Sequence, residues 1–259
     1  MGGAYTKLQT SIEGSVARFT LNFPERRNAI GSVLAGELLD AFREVRANGA
    51  ARVVLLEGAG ESFCGGGDLS ELQRAEGSGL ARQGDYADLL LEMWRFDKPI
   101  VCKVQGHALG GGLGLVAASH FAVGAEDAVF GTPEVGVGLF PMMIMAVLRR
   151  RMPRQALLDW MLLGDRHPAA EACAAGLLHA VVAREALEGD VGALCKKLLD
   201  KGAASVGIGL RALAEAEEVP LEVALPKLRS GLAECLMTED AQEGLSAFLE
   251  RRRPTFSGK

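Results

Sequence analysis

The sequence has 259 residues, of which 49% are hydrophobic and 24% charged, and its formal net charge is −5. This length and composition suit a globular protein with one large domain, or with one domain and a smaller appendage. The acidic balance argues against a general nucleic-acid-binding protein, which is usually basic. No apolar stretch predicts a membrane span, and the first 15 residues lack the apolar segment of a signal peptide. Five scattered cysteines without a CxxC pair predict a reduced, cytoplasmic protein without a metal site.

Strands and helices are predicted to alternate through most of the chain. The patterns first predict a strand hairpin from 5–11 and 15–21, a helix over 33–47 capped by Ser32 and a buried strand at 52–58. A polar mobile segment at 69–83, a helix over 84–97 and a buried strand at 99–106 are predicted next. A helix that opens at a glycine run, a strand at 120–126 and a short strand within 128–141 follow. From about residue 141 the pattern is helical, with segments at 183–201, 203–218, 220–235 and 239–252.

This order of elements predicts an α/β protein. Strands alternate with helices up to about residue 190, which is typical of βα units, and a helical tail with almost no strand signal follows. We therefore expect a core over 1–195 and a C-terminal helical region over 196–259 that packs on a neighbouring subunit.

Two glycine runs are the most informative feature of the sequence. They read "FCGGGDL" (63–69) and "HALGGGLGL" (107–115), and each follows an apolar stretch. Glycine after a buried strand lets a ligand approach the backbone, and a helix opening there directs free N–H groups outward. If the two strands are neighbours, the amides of Gly67 and Gly111 form an oxyanion hole. The alternative is that both runs serve only tight turns and helix–strand packing.

Glu134 is the candidate proton-transfer group. It lies in "FGTPEVGVG" (130–138), an apolar and glycine-rich stretch. Desolvation of a carboxylate in such surroundings raises its pKa toward the range of a general base. The alternative is that Glu134 caps a turn or pairs with an arginine.

The chain resembles the enoyl-CoA hydratase/isomerase (crotonase) superfamily. Four segments carry the resemblance in the family's order and spacing: "PERRNAI" (24–30), "RVVLLEGAGESFCGGGDLSEL" (52–72), "KPIVCKVQGHALGGGLGLVAASHFAVGAEDAVFGTPEVGVGLFP" (98–141) and "EGLSAFLERRRPTFSG" (243–258). The resemblance implies a crotonase (ClpP/crotonase-like) fold, a superhelix of repeated ββα turns with C-terminal helices that trimerise. It implies chemistry on an acyl-CoA thioester through an enolate, with coenzyme A brought in by the substrate and no separate cofactor, and a homotrimer or a dimer of trimers.

The resemblance also implies roles for individual residues. Gly67 and Gly111 match the family's two oxyanion amides, and Glu134 matches a catalytic carboxylate. Residues implied in binding the coenzyme A part are Arg26, Arg27, Gly65, Asp68, Leu69, Phe248 and Arg251. For the "RRR" run at 251–253, a solvated helix end is an equally good interpretation.

The sequence departs from the family's hydratases at Gly114. Hydratases commonly carry a glutamate there and a second one twenty residues on, where this chain has Glu134. A lone carboxylate favours double-bond isomerisation over hydration, since isomerisation needs one base that removes a proton and returns it to another carbon. Hydration stays open if Asp68, Glu71 or another carboxylate of 70–85 supplies the second group. A non-catalytic protein that binds CoA thioesters is the third possibility.

A second departure follows Pro141, where the hydratases are usually glycine-rich. Here the chain reads "MMIMAVL", so "LFPMMIM" (139–145) is a candidate lining for the acyl chain or ordinary core.

Rival functions have weaker signals. "GLGLVA" (112–117) satisfies the dinucleotide-binding pattern GxGxxA, but a lone match is weak. The sequence contains no GxSxG, the pattern that would predict a serine hydrolase. His107, His120, His167 and His179 show no metal-binding spacing, and His120 stands where the family often has aspartate.

Overall fold

The computed structural model describes residues 5–74 and 85–259, and only the backbone of residues 72–74. The strands are β1 Leu8–Glu13, β2 Val16–Leu21, β3 Val53–Gly58, β4 Ile100–Val104, β5 His107–Leu109, β6 Phe121–Ala125, β7 Val129–Gly131, β8 Arg166–Pro168 and β9 Ala180–Val182. The helices are α1 Ser32–Ala47, α2 Leu69–Arg74, α3 Tyr86–Trp94, α4 Gly111–Ala118, α5 Met142–Leu148, α6 Arg154–Leu163, α7 Ala169–Ala174, α8 Leu187–Leu199, α9 Ala203–Ala216, α10 Leu221–Leu236 and α11 Glu239–Leu249. In the described part of the chain, no helix is long and apolar enough to cross a membrane.

The main sheet has the strand order β1-β2-β3-β4-β6-β9, and only its edge strand β1 is antiparallel to its neighbour. All six residues of β3 are buried, as the unbroken apolar run of the sequence predicts for a central parallel strand. Parallel neighbours need crossover connections, and α1 and α3 supply those before and after β3. The sheet thereby places the ends of β3 and β4, and the two glycine runs after them, on the same edge.

A second, smaller sheet positions the glycine runs. It has the order β5-β7-β8, and two isolated parallel bridges extend it, from Cys64 to Ala108 and from Ile30 to Gly67. Each turn of the chain thus adds a strand to the large sheet and a short extended segment to the small one. The small sheet joins segments that are distant in sequence at the site described below.

Aromatic residues form the centre of the core between the main sheet and α1. Phe42 of α1 makes edge-to-face contacts with Phe19 on β2 and with Phe96 after α3, each with ring centroids 5.1 Å apart. All three rings are fully buried. Packing of this kind fixes α1, and with it the loop before α1 that leads to the site.

An ion cluster around the buried carboxylate of Glu57 joins α8 to the main sheet. The carboxylate of Glu57 accepts hydrogen bonds from Arg18 at 2.9 Å and pairs with Lys103 at 2.5 Å, while Glu188 of α8 pairs with both cations. Burial opposes the ionisation of Glu57, but the hydrogen bonds from Lys103 and Arg18 lower its pKa. α8 also buries Leu187, Val191 and Cys195 against the core, and the predicted boundary after residue 195 falls within this helix.

The structure differs from the predicted elements at four places. Ser32 is the first helical residue rather than the N-cap of α1, and its N–H donates to Glu71. Residues 69–74 form α2 within the segment predicted to be mobile, and the rest of that segment up to residue 83 lies outside the described residues. The strands β8 and β9 interrupt the predicted helical stretch after residue 141. Strands of three residues carry too little periodicity to be recognised in a sequence.

Candidate active site

The two glycine runs meet in space at the edge of the small sheet. The N–H of Cys64 donates to the His107 carbonyl at 2.8 Å, and the N–H of Leu109 donates back to the Cys64 carbonyl at 3.0 Å. The amide nitrogen of Gly67 consequently lies 3.7 Å from the position that a Cβ on Gly111 would occupy. Within residues 5–74 and 85–259, neither the Gly67 nor the Gly111 amide donates a hydrogen bond. Two unused donors on different loops therefore stand side by side.

This approach depends on glycine at particular positions. Gly110 precedes α4 with φ +48°, a conformation that favours glycine, and it begins the helix whose first turn includes Gly111. A Cβ on Gly112 would lie 2.6 Å from the Cys64 carbonyl oxygen. The first glycine run could not pack against α4 if side chains were present there.

Glu134 lies beside the same first turn of α4. The chain brings it there through the hydrogen bond from the Gly110 N–H to the Gly131 carbonyl, after which a 3-10 turn over Pro133–Val137 begins. Its Oε1 lies 2.8 Å from the position that a Cβ on Gly110 would occupy. Its Oε2 is buried and has no hydrogen-bond partner in the described part of the chain. Burial raises the pKa of Glu134, as the sequence predicts for a base in an apolar stretch.

Comparison with known proteins identifies the family. The enoyl-CoA hydratase/isomerase family model matches residues 11–259. The chain belongs to this family. The carnitinyl-CoA dehydratase of Escherichia coli K12 is 31% identical over 263 residues, which covers 97% of this chain and 98% of the relative. The mitochondrial enoyl-CoA hydratase domain-containing protein 3 of Danio rerio is 30% identical over 250 residues, 96% of this chain and 86% of that protein.

Solved structures confirm the fold that the resemblance implies. The crystal structure of an enoyl-CoA hydratase from Mycobacterium smegmatis superposes with a TM-score of 0.92 at 32% identity, covering 97% of this chain and 99% of that one. The crotonase fold is thus confirmed, with its C-terminal helices α9, α10 and α11 following the α/β core.

The place at which family hydratases commonly carry their first glutamate is filled in this chain. A Cβ on Gly114 would overlap the hydroxyl of Tyr86 and the Cγ2 of Ile144. The Tyr86 hydroxyl also donates a hydrogen bond to the Gly111 carbonyl. The space beside Gly114 is therefore filled by two side chains, one from α3 and one from α5, and leaves no room for a side chain at position 114.

The carboxylates considered as substitutes for that glutamate are engaged elsewhere. Asp68 accepts hydrogen bonds from the Ser70 N–H at 3.0 Å and from its hydroxyl, which lower the pKa of Asp68 and fix it at the start of α2. Glu71 accepts the N–H of Ser32 at 2.7 Å and lies against Gly31. Of the acidic residues within 70–85, Glu76 lies outside the described residues, and Asp85 caps α3 by accepting the N–H groups of residues 87 and 88.

The residues implied in binding coenzyme A fall into two groups. Arg26 and Arg27 lie in the loop that borders the first glycine run: the Gly65 N–H donates to the Arg27 carbonyl at 2.7 Å, and the charge of Arg26 contributes to the lowered pKa of Asp68. Leu69 is exposed at the start of α2. Gly65, Asp68 and Leu69 flank Gly67 in the chain, and the hydrogen bond between Gly65 and Arg27 joins the arginine loop to them.

Phe248 and Arg251 lie near the C-terminal end of the sequence, far from these residues in the chain. Phe248 is in the last turn of α11, which packs against α9 and α10, and it is 80% exposed; Arg251 follows the helix, with φ +54°. In the part of the chain that the structure describes, no hydrogen bond or ion pair joins the Arg251 side chain to another residue. Their role in binding coenzyme A stays a prediction.

The histidines have structural surroundings. His120 accepts the N–H of Ile100 at 2.9 Å, and burial lowers its pKa to about 4, so it is neutral at physiological pH. His167 stacks on Trp160 at 4.0 Å and lies 2.8 Å from a carboxylate oxygen of Glu171. Side chains of the protein also fill the space beside both glycines of the "GLGLVA" pattern, since Cys64 packs on the first and Tyr86 on the second.

Sequence reasoning missed Tyr86 and Ile144 as parts of the site. Tyr86 is separated from Gly111 by 25 positions and begins a helix whose pattern predicts only a core-facing surface. Ile144 belongs to the apolar stretch after Pro141, which indicated a lining without indicating which residue. No short-range pattern could have paired either residue with Gly114.

Proposed function

We propose that the protein is an enoyl-CoA isomerase, which moves the double bond of a 3-enoyl-CoA thioester into conjugation with the thioester. The observation that carries this proposal is the position of Glu134 beside Gly110, the residue before Gly111, together with the Tyr86 and Ile144 side chains that fill the space beside Gly114. One carboxylate with a raised pKa and two unused amides are sufficient for proton transfer between carbons.

The chemistry balances with Glu134 alone. The Glu134 carboxylate takes the proton from C2, and the C–H electron pair moves into a dienolate. The negative oxygen of the dienolate accepts hydrogen bonds from the N–H groups of Gly67 and Gly111. Collapse of the dienolate takes a proton from the Glu134 carboxylic acid at C4, which leaves the double bond between C2 and C3 and regenerates the carboxylate. In deuterated water this proton is replaced by a deuteron whenever the carboxyl group exchanges with solvent before the collapse. Loss of one such amide donor typically costs about 10²–10³ in rate.

Hydration of a 2-enoyl-CoA is the second candidate, because several relatives are named as hydratases or dehydratases. It requires a bond from water oxygen to C3 and a proton delivered to C2, a task that two carboxylates share in the family's hydratases. Here Asp68 and Glu71 are already hydrogen-bonded within the protein, which favours isomerisation.

A cavity borders the two helices that carry Tyr86 and Ile144. It has a volume of about 920 Å³, and α3 and α5 contribute apolar residues to its lining, among them Leu91, Trp94 and Met142, whereas charged residues line the rest of it. Arg26 and Arg27 supply cations for the phosphates of coenzyme A on the other side of Gly67. We propose that the thioester lies between these two regions.

The test compares the wild type with Glu134→Gln on 3-enoyl- and 2-enoyl-CoA esters in deuterated water. We expect deuterium uptake at C2 and C4 and conversion to the conjugated ester, and a loss of about 10³-fold or more in the variant. Glu126→Gln, an exposed glutamate on the same chain, is the matched control and should keep full activity. Binding of the thioester with neither deuterium uptake nor conversion to the conjugated ester would instead identify a non-catalytic CoA-binding protein.

Assembly as a homotrimer or dimer of trimers is part of this proposal. Support comes from α10, of which only Ala224 is buried. Its leucines at 221, 225, 228, 232 and 236 are all exposed. Such a helix is poorly covered within one chain. Sedimentation equilibrium tests the mass. The cytoplasm stays the proposed location, and the Danio rerio relative is named as mitochondrial.

A further inference from the structure

Tyr86 connects the helix that carries it to the first turn of α4. It is the first residue of α3, which Asp85 caps through the N–H groups of Ala87 and Asp88. Its hydroxyl donates to the Gly111 carbonyl, and its Cζ lies 3.7 Å from the position that a Cβ on Gly111 would occupy. The ring therefore lies beside the residue whose amide is available to the thioester oxygen.

The same hydroxyl and Ile144 occupy the space beside Gly114. A Cβ on that glycine would overlap both of them, so a side chain at position 114 requires the Tyr86 hydroxyl and Ile144 to move. Tyr86 and Gly114 thus form a complementary pair in which a large polar residue from α3 fills the volume that a glycine of α4 leaves empty.

Tyr86 and Glu134 flank one turn of helix from two sides. Glu134 lies against Gly110 and Tyr86 against Gly111 and Gly114. Burial, with smaller contributions from Cys64 and the charge of Glu134, raises the pKa of Tyr86 well above its usual range. The hydroxyl is neutral at physiological pH, and its proton is directed at a backbone carbonyl, so it does not act as a base beside Glu134.

We propose that Tyr86 determines the outcome of the reaction: by occupying the space beside Gly114 it leaves Glu134 as the acid–base group and excludes water addition. This inference rests on the proposed function, since it concerns the same site. Tyr86 is a positioning and specificity-determining residue. It holds the first turn of α4 through the hydrogen bond to the Gly111 carbonyl. It also fills the space beside Gly114, from which a second carboxylate and its water would approach C3.

The experiment compares Tyr86→Ala, Gly114→Glu and the double variant Tyr86→Ala/Gly114→Glu with the wild type. Isomerisation of a 3-enoyl-CoA and hydration of a 2-enoyl-CoA are measured on each. We expect the double variant to hydrate about 10²-fold faster than the wild type, because a second carboxylate then has room and Ile144 can move into the vacated space. Gly114→Glu alone should gain no hydration, since Tyr86 blocks the new side chain.

Matched controls separate this effect from general damage. Gly36→Glu introduces the same side chain on α1, where a Cβ meets nothing within 4 Å, and Tyr5→Ala removes the chain's other tyrosine. Both should leave the ratio of hydration to isomerisation unchanged. Tyr86→Phe removes only the hydroxyl, and we expect it to lower kcat for isomerisation about fivefold with an unchanged KM, because the Gly111 peptide is less firmly held.

The outcomes distinguish the two proposals. Hydration by Gly114→Glu equal to that of the double variant, or no gain in a folded double variant, overturns the role of Tyr86 while Glu134→Gln still abolishes isomerisation. If the double variant does not fold, Tyr86→Ala decides: a ratio of hydration to isomerisation equal to that of the wild type overturns the inference. If the wild type does not isomerise a 3-enoyl-CoA, or if Glu134→Gln isomerises it as fast as the wild type, the proposed function itself fails.

Discussion

The carboxylate of Glu134 lies directly against Gly110, with Oε1 2.8 Å from the position of a Cβ on that glycine. Gly110 is also the residue after which α4 begins, and its φ of +48° favours glycine. One residue therefore sets both the direction of the helix that carries the Gly111 amide and how closely the Glu134 carboxylate approaches that helix. The spacing between the Glu134 carboxylate and the Gly111 amide is built into the backbone.

Gly110→Ala should impair catalysis more than its effect on stability explains. The new methyl group displaces the Glu134 carboxylate, and a misplacement of about 1 Å typically costs about 10² in rate. The unfavourable φ costs about 1–2 kcal/mol of folding free energy. The measurements are kcat on a 3-enoyl-CoA and urea unfolding. Gly138→Ala is the control, because Gly138 has φ +77° and open space around its Cβ position. Equal losses of activity in both variants would contradict the role of the Glu134 contact.

Glu134→Gln should stabilise the folded protein at neutral pH. The pKa of Glu134 is raised in the folded state, so the carboxyl group favours folding below its unfolded pKa of about 4.3, and this contribution is lost as the pH rises through the folded value. At pH 7 the charged, desolvated carboxylate opposes folding, and glutamine removes that cost. Urea unfolding should show a more stable variant at pH 7 and a smaller difference near pH 4. A variant that is less stable than the wild type at pH 7 would contradict the desolvation of Glu134.

The sequence predicted the fold where the physical signal was local. The buried strands β3 and β4 and the helices α8 to α11 were predicted to within a few residues, since long apolar runs and helical periodicity are properties of neighbouring residues. The closeness of Gly67 and Gly111 could be expected because their strands are adjacent in a parallel sheet. The contacts of Tyr86 with Gly111 and of Glu71 with Ser32 join residues 25 and 39 positions apart, and only the folded chain brings them together.

Arg26→Gln and Arg27→Gln should each weaken binding of the thioester without slowing its conversion. A charge-assisted hydrogen bond to phosphate contributes enough that its loss raises KM about tenfold, and kcat should change little because the reacting atoms lie beyond Gly67. The effect should shrink at high salt. A pantetheine thioester, which lacks the nucleotide phosphates, should show no difference between variants and wild type. Arg43→Gln is the control, since Arg43 is exposed on α1, and a tenfold rise in KM there would indicate a non-specific charge effect.

Asn28→Ala should destabilise the protein and loosen the loop that carries Arg26 and Arg27. Asn28 is fully buried with φ +55°, and its Nδ2 donates to the carbonyls of Ala59, Ser62 and Phe63 at 2.9–3.1 Å while its Oδ1 accepts the Phe23 N–H. Alanine leaves these buried groups without partners, at a cost of about 1–3 kcal/mol for each that water does not reach.

The expected loss in urea unfolding is therefore about 3 kcal/mol or more, with a rise in KM for the thioester at temperatures at which the variant remains folded. Asn48→Ala is the control, since Asn48 is exposed and makes one local side-chain hydrogen bond to the Ala50 N–H. Asn28→Asp keeps the acceptor and the tolerance of positive φ but loses the donor. If Asn28→Asp were as stable as the wild type, the three carbonyl contacts would not be what holds this loop against the first glycine run.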